Sequence, residues 1–525
     1  MKKLGEIFYK FICGILFLLS GLLLFINLYG SVHYNLEDGS KIWKAHTAIF
    51  YIFVACIICV VVYRKYTNKS INNIRLREKP LFLFFAAALF IVCIYLIHNS
   101  SEQLWSDPYM INKYMPEFLK GDFSGFSDGK YFSYNPNLAG FAMYEMLLTR
   151  ICNRVHFLYF ANLITVELIL WFQWRISQLI YPKSENMRIV IIVASFLFLP
   201  LPLHLFFVYG TLPGYLFAQI SIWFYYRWLS LSDCKYNALN LFFSALTLTI
   251  SCILKQNFYI LMIALVIHGS WYLICCEKKK MIPKMLILLI LPIIGSSLFM
   301  NVFKQRSGIE IGTGEPVVLY IAMGLQENES NPLDNGWYNG YNFETYQKNN
   351  YDEELSAQEG KAYINMRLRE LMDPAVLTKF LIPKLASTWA DPTFESVYLG
   401  PSEFSVGKSE NGIIGSIYGG DRLYHVIEGF MKFYTIVFYL AVLFHSIEEI
   451  RSHTIRGSDK KALLVCVYLI GGFLFHMISE TKSSYVYYYV FSMILWLPTL
   501  IVKPQEEDSL IHQQKLNGEN RMKTK

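Results

Sequence analysis

The residue best placed for chemistry is an aspartate, Asp107, which follows a long apolar segment by about nine residues. A membrane span predicted at 81–98 puts this carboxylate just outside the bilayer, where it can meet both a lipid headgroup and an acceptor in water. Pro108 follows directly, so an ordinary turn or helix cap is the alternative. Position alone therefore leaves a chemical role and a local structural role open.

Two lysines lie in turns between apolar runs. Lys255 occupies a turn that is too short to hold a solvated charge cluster. Lys482 lies in the link Glu480-Thr481-Lys482 between the last two predicted spans, and tyrosines at 485 and 487–489 follow it. Either lysine could instead mark the membrane interface by snorkelling, and the tyrosines fit an aromatic belt. Both roles stay open for each lysine.

An aromatic residue beside a carboxylate suits sugar binding. Ring faces cover the CH patches of a sugar, while carboxylates accept hydrogen bonds from its hydroxyls. Trp389 and Asp391 form such a pair near the point where the largest loop returns to the membrane. Trp337 and Tyr338 in a Gly- and Asn-rich stretch are weaker candidates. The alternative for Trp389 and Asp391 is a loop cap on a small domain.

The elements that must position these residues are membrane-spanning helices. The chain has 525 residues, of which 54% are hydrophobic and only 17% charged, whereas soluble proteins carry roughly a quarter charged residues. Apolar runs of about 18 or more residues indicate spanning helices. We predict an all-α polytopic membrane protein with about twelve spans near residues 8–28, 45–63, 81–98, 156–175, 189–208, 212–229, 237–254, 257–275, 284–302, 428–447, 462–479 and 484–502.

Charge in the loops predicts the orientation. The loops at 64–79, 175–188 and 278–284 are rich in Lys and Arg, which indicates the cytoplasmic side. The segment Leu138 to Cys152 is apolar but short and carries two charges, so we predict an interfacial helix with both ends outside. Both termini are then cytoplasmic.

This topology divides the chain into five parts. The long outer loop is predicted to fold into a small mixed domain, with a helix at 362–372 and another that begins at Asp373-Pro374. The parts are an N-terminal two-helix addition at 1–80, a transmembrane core at 81–303 with its first outer loop at 98–155, the loop domain at 304–425, C-terminal spans at 426–503 and a cytoplasmic tail at 504–525.

Composition argues against other classes of protein. The net charge is +7, but the Lys and Arg residues lie in short loops between apolar runs, which argues against nucleic-acid binding. Most of the ten cysteines lie within apolar runs, so a disulfide framework is not expected. The first apolar stretch, about Phe8 to Leu28, is long for a signal peptide and lacks a convincing cleavage site, so we expect a retained helix.

A series of motifs follows Asp107 on the predicted outer side. Gly121-Asp122 ends an amphipathic stretch, Tyr131-Phe132 with Pro136 forms a turn, and the interfacial helix comes next. Later turns read Tyr209-Gly210-Thr211-Leu212-Pro213 and Leu254-Lys255-Gln256-Asn257. In this order the chain resembles the GT-C superfamily of membrane glycosyltransferases, over about residues 81–502. The family includes bacterial relatives of protein O-mannosyltransferases and of aminoarabinose transferases.

The sequence departs from the family's pattern at two positions. Thr211 stands where the family often has an acidic residue, and Ser133 stands where some relatives carry a metal-binding glutamate. A second catalytic carboxylate and a divalent metal therefore stay open, and no cofactor is indicated.

The resemblance implies transfer of a sugar from a polyprenyl-phosphate donor on the outer face of a bacterial plasma membrane. Asp107 would be the general base on the acceptor hydroxyl, a role that contributes roughly 10²–10⁴-fold. Lys255 and Lys482 would bind the donor phosphate, whose negative charge grows as it leaves. The acceptor would be a cell-envelope glycan, a lipid or a protein. Expected substrate contacts are Asp122, Tyr131, Asn135, Gln256, Asn257, Trp389, Asp391 and Glu480.

Two other functions share parts of this pattern. A polysaccharide polymerase of the O-antigen type also has about a dozen spans and a large outer loop, but would be expected to rely on Arg and His there. The large loop has four arginines but only His425 at its edge. A membrane transporter would place charges or broken helices at mid-membrane, where these spans have few charges.

Overall fold

A computed structural model describes most of the chain. It covers residues 2–36, 39–48, 50–52, 54–56, 59, 76–230, 234–401, 412–452 and 455–497. Most of the predicted cytoplasmic loop at 64–79 and the whole predicted tail at 504–525 lie outside the described residues.

The elements run from an N-terminal helix and hairpin through two groups of long helices separated by a helical loop region. The first part contains α1 (Lys2–Tyr29), β1 (Gly30–Tyr34), β2 (Lys41–Ala45), α2 (Glu78–Asn99), α3 (Ser106–Asn112), α4 (Met115–Leu119), α5 (Tyr131–Tyr134), α6 (Ala139–Ile151), α7 (Val155–Ile180), α8 (Glu185–Leu197), α9 (Pro200–Leu203), α10 (Thr211–Ser230), α11 (Cys234–Leu254), α12 (Tyr259–Cys275) and α13 (Ile287–Ser307). The second part contains α14 (Val317–Gly324), α15 (Tyr341–Lys348), α16 (Glu353–Glu370), α17 (Pro374–Trp389), α18 (Ile413–Tyr418), α19 (Arg422–Arg451), α20 (Gly457–Ile478) and α21 (Tyr487–Met493). Short 3-10 turns include Gln256–Phe258 and Ser483–Tyr485.

Eight described helical segments are long and apolar enough to cross a membrane. They contain α1, α2, α7, α11, α12, α13, α19 and α20. A ninth passes if α8 and residues 200–206, which meet at a 41° bend, count as one span. The predicted total of about twelve is not confirmed. The predicted span at 212–229 is the helix α10, but its Tyr and Trp residues make it less apolar. The predicted spans at 45–63 and 484–502 extend beyond the described residues.

A β-hairpin departs from the all-α prediction. β1 pairs with β2 in antiparallel register, from Gly30 opposite Ala45 to Tyr34 opposite Lys41. All five residues of β1 are buried. The Val32 N–H donates to the Ala390 carbonyl at 2.9 Å, outside the hairpin. A strand with this burial is stabilised by the protein body rather than by its own two-stranded sheet.

The N-terminal segment is packed into the helical body. α1 runs along α19, α10 packs between α7 and α11, and α20 packs against α12. The hairpin contacts α17, which belongs to the long loop region. The predicted boundary at residue 80 stays a prediction, but α1 and the hairpin strands share a core with α19 and α20.

In the described part of the long loop region the regular elements are helices, joined by turns and coil, so the predicted mixed domain is not confirmed. α16 covers residues 362–370 of the helix predicted at 362–372 and begins earlier, at Glu353. α17 begins as predicted: Asp373 accepts a hydrogen bond from the Ala375 N–H at 2.8 Å, and Pro374 is the first helical residue. This proline carries no N–H that a first turn would leave unsatisfied. The predicted interfacial segment at 138–152 forms the 13-residue helix α6.

Candidate active site

Three turns from distant parts of the sequence meet at one end of α20. Asp107 lies in the first turn of α3, Lys255 follows α11, and Glu480 and Lys482 follow α20. Asp107, Glu480 and Lys482 all lie close enough to Lys255 to influence its pKa. The structure therefore brings together the predicted base and both predicted phosphate-binding lysines.

Two glycines hold the end of α11 in place. A side chain at Gly140, in the first turn of α6, would overlap the carbonyl oxygen of Ile253. A side chain at Gly210, before α10, would overlap the carbonyl oxygen of Leu254. Only glycine allows this approach, because it has no Cβ atom. α6 and the turn before α10 thus clasp the two residues that precede Lys255.

Lys255 is held between aromatic rings. Its Nζ lies 4.4 Å from the ring centroid of Tyr209 and 5.3 Å from that of Tyr485, within range of a cation–π attraction. Burial lowers the pKa of Lys255 to about 8, while Asp107 and Glu480 oppose this shift. Among the described residues, no carboxylate forms an ion pair with Lys255. Its charge is therefore available to an anion.

Asp107 is partly exposed and is oriented by one tyrosine. The Tyr131 hydroxyl donates to Asp107 Oδ1 at 3.1 Å. Burial raises the pKa of Tyr131, and the Asp107 carboxylate adds to this, so the tyrosine keeps the proton that it donates. The other carboxylate oxygen, Oδ2, has no described protein donor and can accept a proton from a bound hydroxyl.

Glu480 and Lys482 are fixed through the backbone of their turn. The Glu480 N–H donates to the Tyr320 carbonyl at 2.9 Å, and the Thr481 N–H donates to the Gly336 carbonyl at 3.0 Å. Burial raises the pKa of Glu480, while Lys482 and Lys255 lower it. Burial also opposes the charge on Lys482, but nearby carboxylates, with Glu395 first, outweigh it and raise the pKa of this lysine. Lys482 therefore stays positively charged.

A buried lysine, Lys384 of α17, anchors the turn that holds Glu480 and Lys482. Its Nζ donates to the carbonyls of Gly324 at 2.5 Å and of Met477 and Ser479 at 3.0 Å each. These carbonyls lie at the C-terminal ends of α14 and α20, where helices carry unsatisfied acceptors and partial negative charge. Lys384 thus joins the long loop region to the residue that precedes Glu480.

Asp391 organises a buried loop rather than facing the site with free oxygens. Its Oδ1 accepts from the Thr393 N–H and hydroxyl at 2.9 Å each, and its Oδ2 accepts from the Glu395 N–H at 2.6 Å and the Ser483 hydroxyl at 2.7 Å. Burial raises the pKa of Asp391 to about 6, while the Ser483 bond opposes this. Within this loop Phe394 and Glu395 adopt φ values of +51° and +57°, which are strained for residues with side chains.

The predicted sugar-binding aromatic residue, Trp389, lies in the core. Its side chain is 1% exposed and packs against Phe473, with ring centroids 5.7 Å apart. Its carbonyl accepts a hydrogen bond from the Asn27 side chain at 3.3 Å. The structure places Trp389 away from solvent, so a sugar could reach this ring only after local rearrangement.

The remaining predicted contacts surround the site unevenly. Asn135 lies beside it, 3.5 Å from the Tyr320 hydroxyl. Asn257 forms a hydrogen bond with the Tyr488 hydroxyl, and Gln256 is exposed in the turn that follows Lys255. Asp122 is exposed and accepts from the Ser124 N–H at 2.9 Å, which shapes its own turn. The structure does not bring Asp122 to the charged residues.

No family model matches this chain. No curated protein and no solved structure matches it either. The resemblance to GT-C glycosyltransferases therefore stays a prediction, and the function must be argued from the site.

Two residues of the site were not predicted from the sequence. Glu395 accepts from the N–H and hydroxyl of Ser484, at 3.0 and 2.6 Å, and so ties its loop to the turn that holds Lys482. Lys384 is a lone cation in the apolar run Phe380–Trp389, and this was a readable signal of a buried role. Glu395 has no such local signal, because its partner lies 89 residues away.

A second charged cluster lies at the other end of α20. Arg456 Nη2 contacts Glu449 Oε1 at 2.8 Å, and Arg456 Nε contacts Asp459. The Tyr9 hydroxyl donates to Glu449 at 2.8 Å. His445, Glu449 and Asp459 also offer ligand atoms within 4.8 Å of one another, the one such group in the described part of the chain. Because Arg456 already contacts both carboxylates, a metal ion would have to displace it.

Proposed function

We propose that the protein is a glycosyltransferase that moves a sugar from a polyprenyl-phosphate donor to a hydroxyl acceptor. The proposal includes a bacterial plasma-membrane location, about twelve spans and a site on the outer face. The observation that carries it is the meeting of Asp107 with Lys255 and Lys482, two lysines without a described ion-pair partner. A base and two available cations are what this reaction requires.

Each residue has one role in the proposed reaction. Asp107 takes the proton of the acceptor hydroxyl while that oxygen forms a bond to the anomeric carbon of the sugar. The bond between this carbon and the phosphate oxygen breaks, and the electron pair stays on the phosphate. Lys255 and Lys482 bind the phosphate oxygens, whose charge grows in the transition state. Tyr131 holds Asp107 in position through its hydrogen bond.

The interior of the bundle supports an enzyme better than a transporter. Gln219 donates to Gln173 at 3.2 Å, and Gln173 donates to the Phe491 carbonyl at 3.1 Å. Ser221 and Ser244 bond to each other at 3.1 Å. Such neutral pairs join membrane helices to one another. Lys255 and Lys482 lie at the end of the bundle, whereas Glu167, near the middle of α7, carries one carboxylate oxygen without a hydrogen-bond partner.

The test is transfer of labelled sugar by the purified protein, with a panel of polyprenyl-phosphate sugars and envelope acceptors. We expect Asp107→Asn to lower the initial rate by roughly 10²–10⁴-fold, as loss of a general base does. Glu117→Gln is the matched control, because Glu117 is an exposed carboxylate in the same loop. We expect this variant to retain full activity.

Other outcomes would change the proposal in defined ways. Transfer that survives Asp107→Asn would keep the enzyme but reject this base. Formation of long glycan chains from repeat units would favour the polymerase. Folded protein that transfers no sugar from a broad donor panel would reject the glycosyltransferase and favour the polymerase or a transporter.

A further inference from the structure

One exposed aromatic ring overlies the charged site. Tyr338 is 55% exposed, and its ring centroid lies 5.6 Å from Lys482 Nζ. Partial burial raises the pKa of Tyr338. The nearby carboxylates of Glu315, Asp107 and Glu480 raise it further, while Lys482 lowers it. The ring therefore lies within the electric field of the base and of a phosphate-binding lysine.

The backbone on both sides of Tyr338 is anchored. The Gly336 N–H donates to the Gln326 carbonyl at 2.9 Å, and the Gly336 carbonyl accepts from Thr481, between Glu480 and Lys482. The Asn339 side chain donates to that of Gln326 at 2.5 Å. Gly336 and Gly340 have φ values of +67° and +85°, which turn the chain sharply on both sides. The ring is thus presented by a fixed loop.

The neighbouring tryptophans are not available for binding. Trp337 is 5% exposed, donates to the Ser387 hydroxyl at 2.7 Å, and has Lys41 Nζ 3.2 Å from its ring centroid. Trp389 is 1% exposed. Trp337 and Trp389 are buried in the core, whereas more than half of the Tyr338 side chain is exposed.

We infer that Tyr338 is a substrate-binding residue whose ring stacks on the sugar of the donor. This inference rests on the proposed function. In a glycosyl phosphate the sugar is bonded directly to a phosphate oxygen, so a phosphate at Lys482 places the sugar beside this ring. The negative face of an aromatic ring attracts the polarised C–H groups of a sugar. A preorganised ring also loses little conformational freedom on binding.

The experiment measures binding of the full-length protein in nanodiscs, without any acceptor. The probes are undecaprenyl-phosphate glucose, mannose and arabinose with tritium in the sugar, and undecaprenyl phosphate itself. We expect Tyr338→Ala to weaken binding of a sugar-bearing lipid about five- to tenfold, in line with the contribution of one aromatic pair. Binding of undecaprenyl phosphate should not change. Tyr338→Phe should restore sugar-lipid binding to within about twofold, because it keeps the ring.

The control is Tyr109→Ala, which removes a tyrosine of similar exposure, 53%, on α3. Equal weakening of lipids with and without sugar by Tyr338→Ala would overturn the sugar contact, and so would unchanged binding of every probe. If wild-type protein binds undecaprenyl phosphate and Lys482→Met abolishes this, the phosphate site stands whatever Tyr338 does. If folded wild-type protein binds none of the probes, the proposed function and this inference fall together.

Discussion

α20 carries charged groups at both of its ends, and the two ends differ in how their charges are satisfied. At its start, Arg456 contacts Glu449 and Asp459, whose side chains are 4% and 0% exposed. At its far end, about 33 Å away for a helix of this length, Lys255 and Lys482 have no ion-pair partner among the described residues. Both ends bring together distant segments of the chain, but only the far end holds lysines without a described ion-pair partner.

The difference separates a structural cluster from the proposed binding site. Removing charges from water costs several kcal/mol per ion, and a closed ion pair recovers this within the protein. Lys255, which is held between rings and near carboxylates but paired with none, recovers this cost only in part, and its pKa stays lowered. A bound anion supplies the rest. Perturbed groups that lack internal partners are therefore better candidates for function than a saturated cluster of the same composition.

The largest expected effect tests the ion-paired cluster at the start of α20. Arg456→Met leaves two buried carboxylates without their cation, which costs about 3–5 kcal/mol of unfolding free energy. Chemical unfolding in mixed micelles measures this, with the exposed Arg451→Met as control. Adding Glu449→Gln and Asp459→Asn to Arg456→Met should recover most of the loss. Unchanged stability in Arg456→Met would remove the distinction between the two ends.

The next effect tests the lysines without an ion-pair partner at the far end of α20. Lys255→Met should weaken binding of undecaprenyl phosphate by about 10–100-fold, because one charged hydrogen bond contributes about 1.5–3 kcal/mol. Unfolding free energy should not fall, since no internal ion pair is lost. Lys120→Met, at an exposed position in the first loop, is the control. Strong destabilisation with unchanged lipid binding would show that Lys255 has a structural role and does not bind the phosphate.

A third effect concerns the support between the loop region and α20. Lys384→Met leaves buried carbonyls without a donor, and each unsatisfied group costs about 1–3 kcal/mol. We expect lower stability together with weaker lipid binding, because the Glu480 turn loses its anchor. Lys384→Arg tests whether a cation restores both properties. The exposed Lys379→Met serves as control. Loss of stability without any change in binding would separate this lysine from the site.

The smallest effect is a dependence on pH. The pKa of Lys255 is lowered to about 8, so this lysine is mostly protonated at pH 7 and mostly neutral at pH 9. Since the protonated form binds phosphate, affinity for undecaprenyl phosphate should fall about tenfold between these values. Lys255→Arg should abolish this fall, because arginine stays charged. A wild-type affinity that is flat up to pH 10 would contradict the assignment.

The sequence predicts the local parts of the structure better than the long-range ones. Apolar runs predict most of the long helices, and Asp373-Pro374 predicts the start of α17, because spans and caps depend on neighbouring residues. Asp107 and Tyr131, both among the predicted site residues, lie 24 residues apart in the sequence and are joined by a hydrogen bond. The total of about twelve spans is not confirmed, since aromatic helices such as α10 are only moderately apolar.

Several other contacts between distant segments escaped prediction. Trp389 looked suited to sugar binding by residue type, but its exposure depends on packing against Phe473, 84 residues later. Glu395 gave no signal, because its role depends on Ser484. The hairpin was missed because the burial of β1 depends on contact with α17, which is distant in the sequence, and not on neighbouring residues. Charge type could be read from the sequence; whether a charge has a partner could not.

The burial of β1 has a consequence for the synthesis of the protein. Tyr34 lies 3.4 Å from the Ser483 hydroxyl, and α1 packs along α19, so early segments contact late ones. At a synthesis rate of about 5–20 residues per second, roughly 20–90 s separate Tyr34 from Ser483. During this time α1 and its hairpin lack their final neighbours. The candidate site is therefore completed only when the last membrane segments have been inserted, and truncated chains should be substrates for membrane quality control rather than partly active proteins.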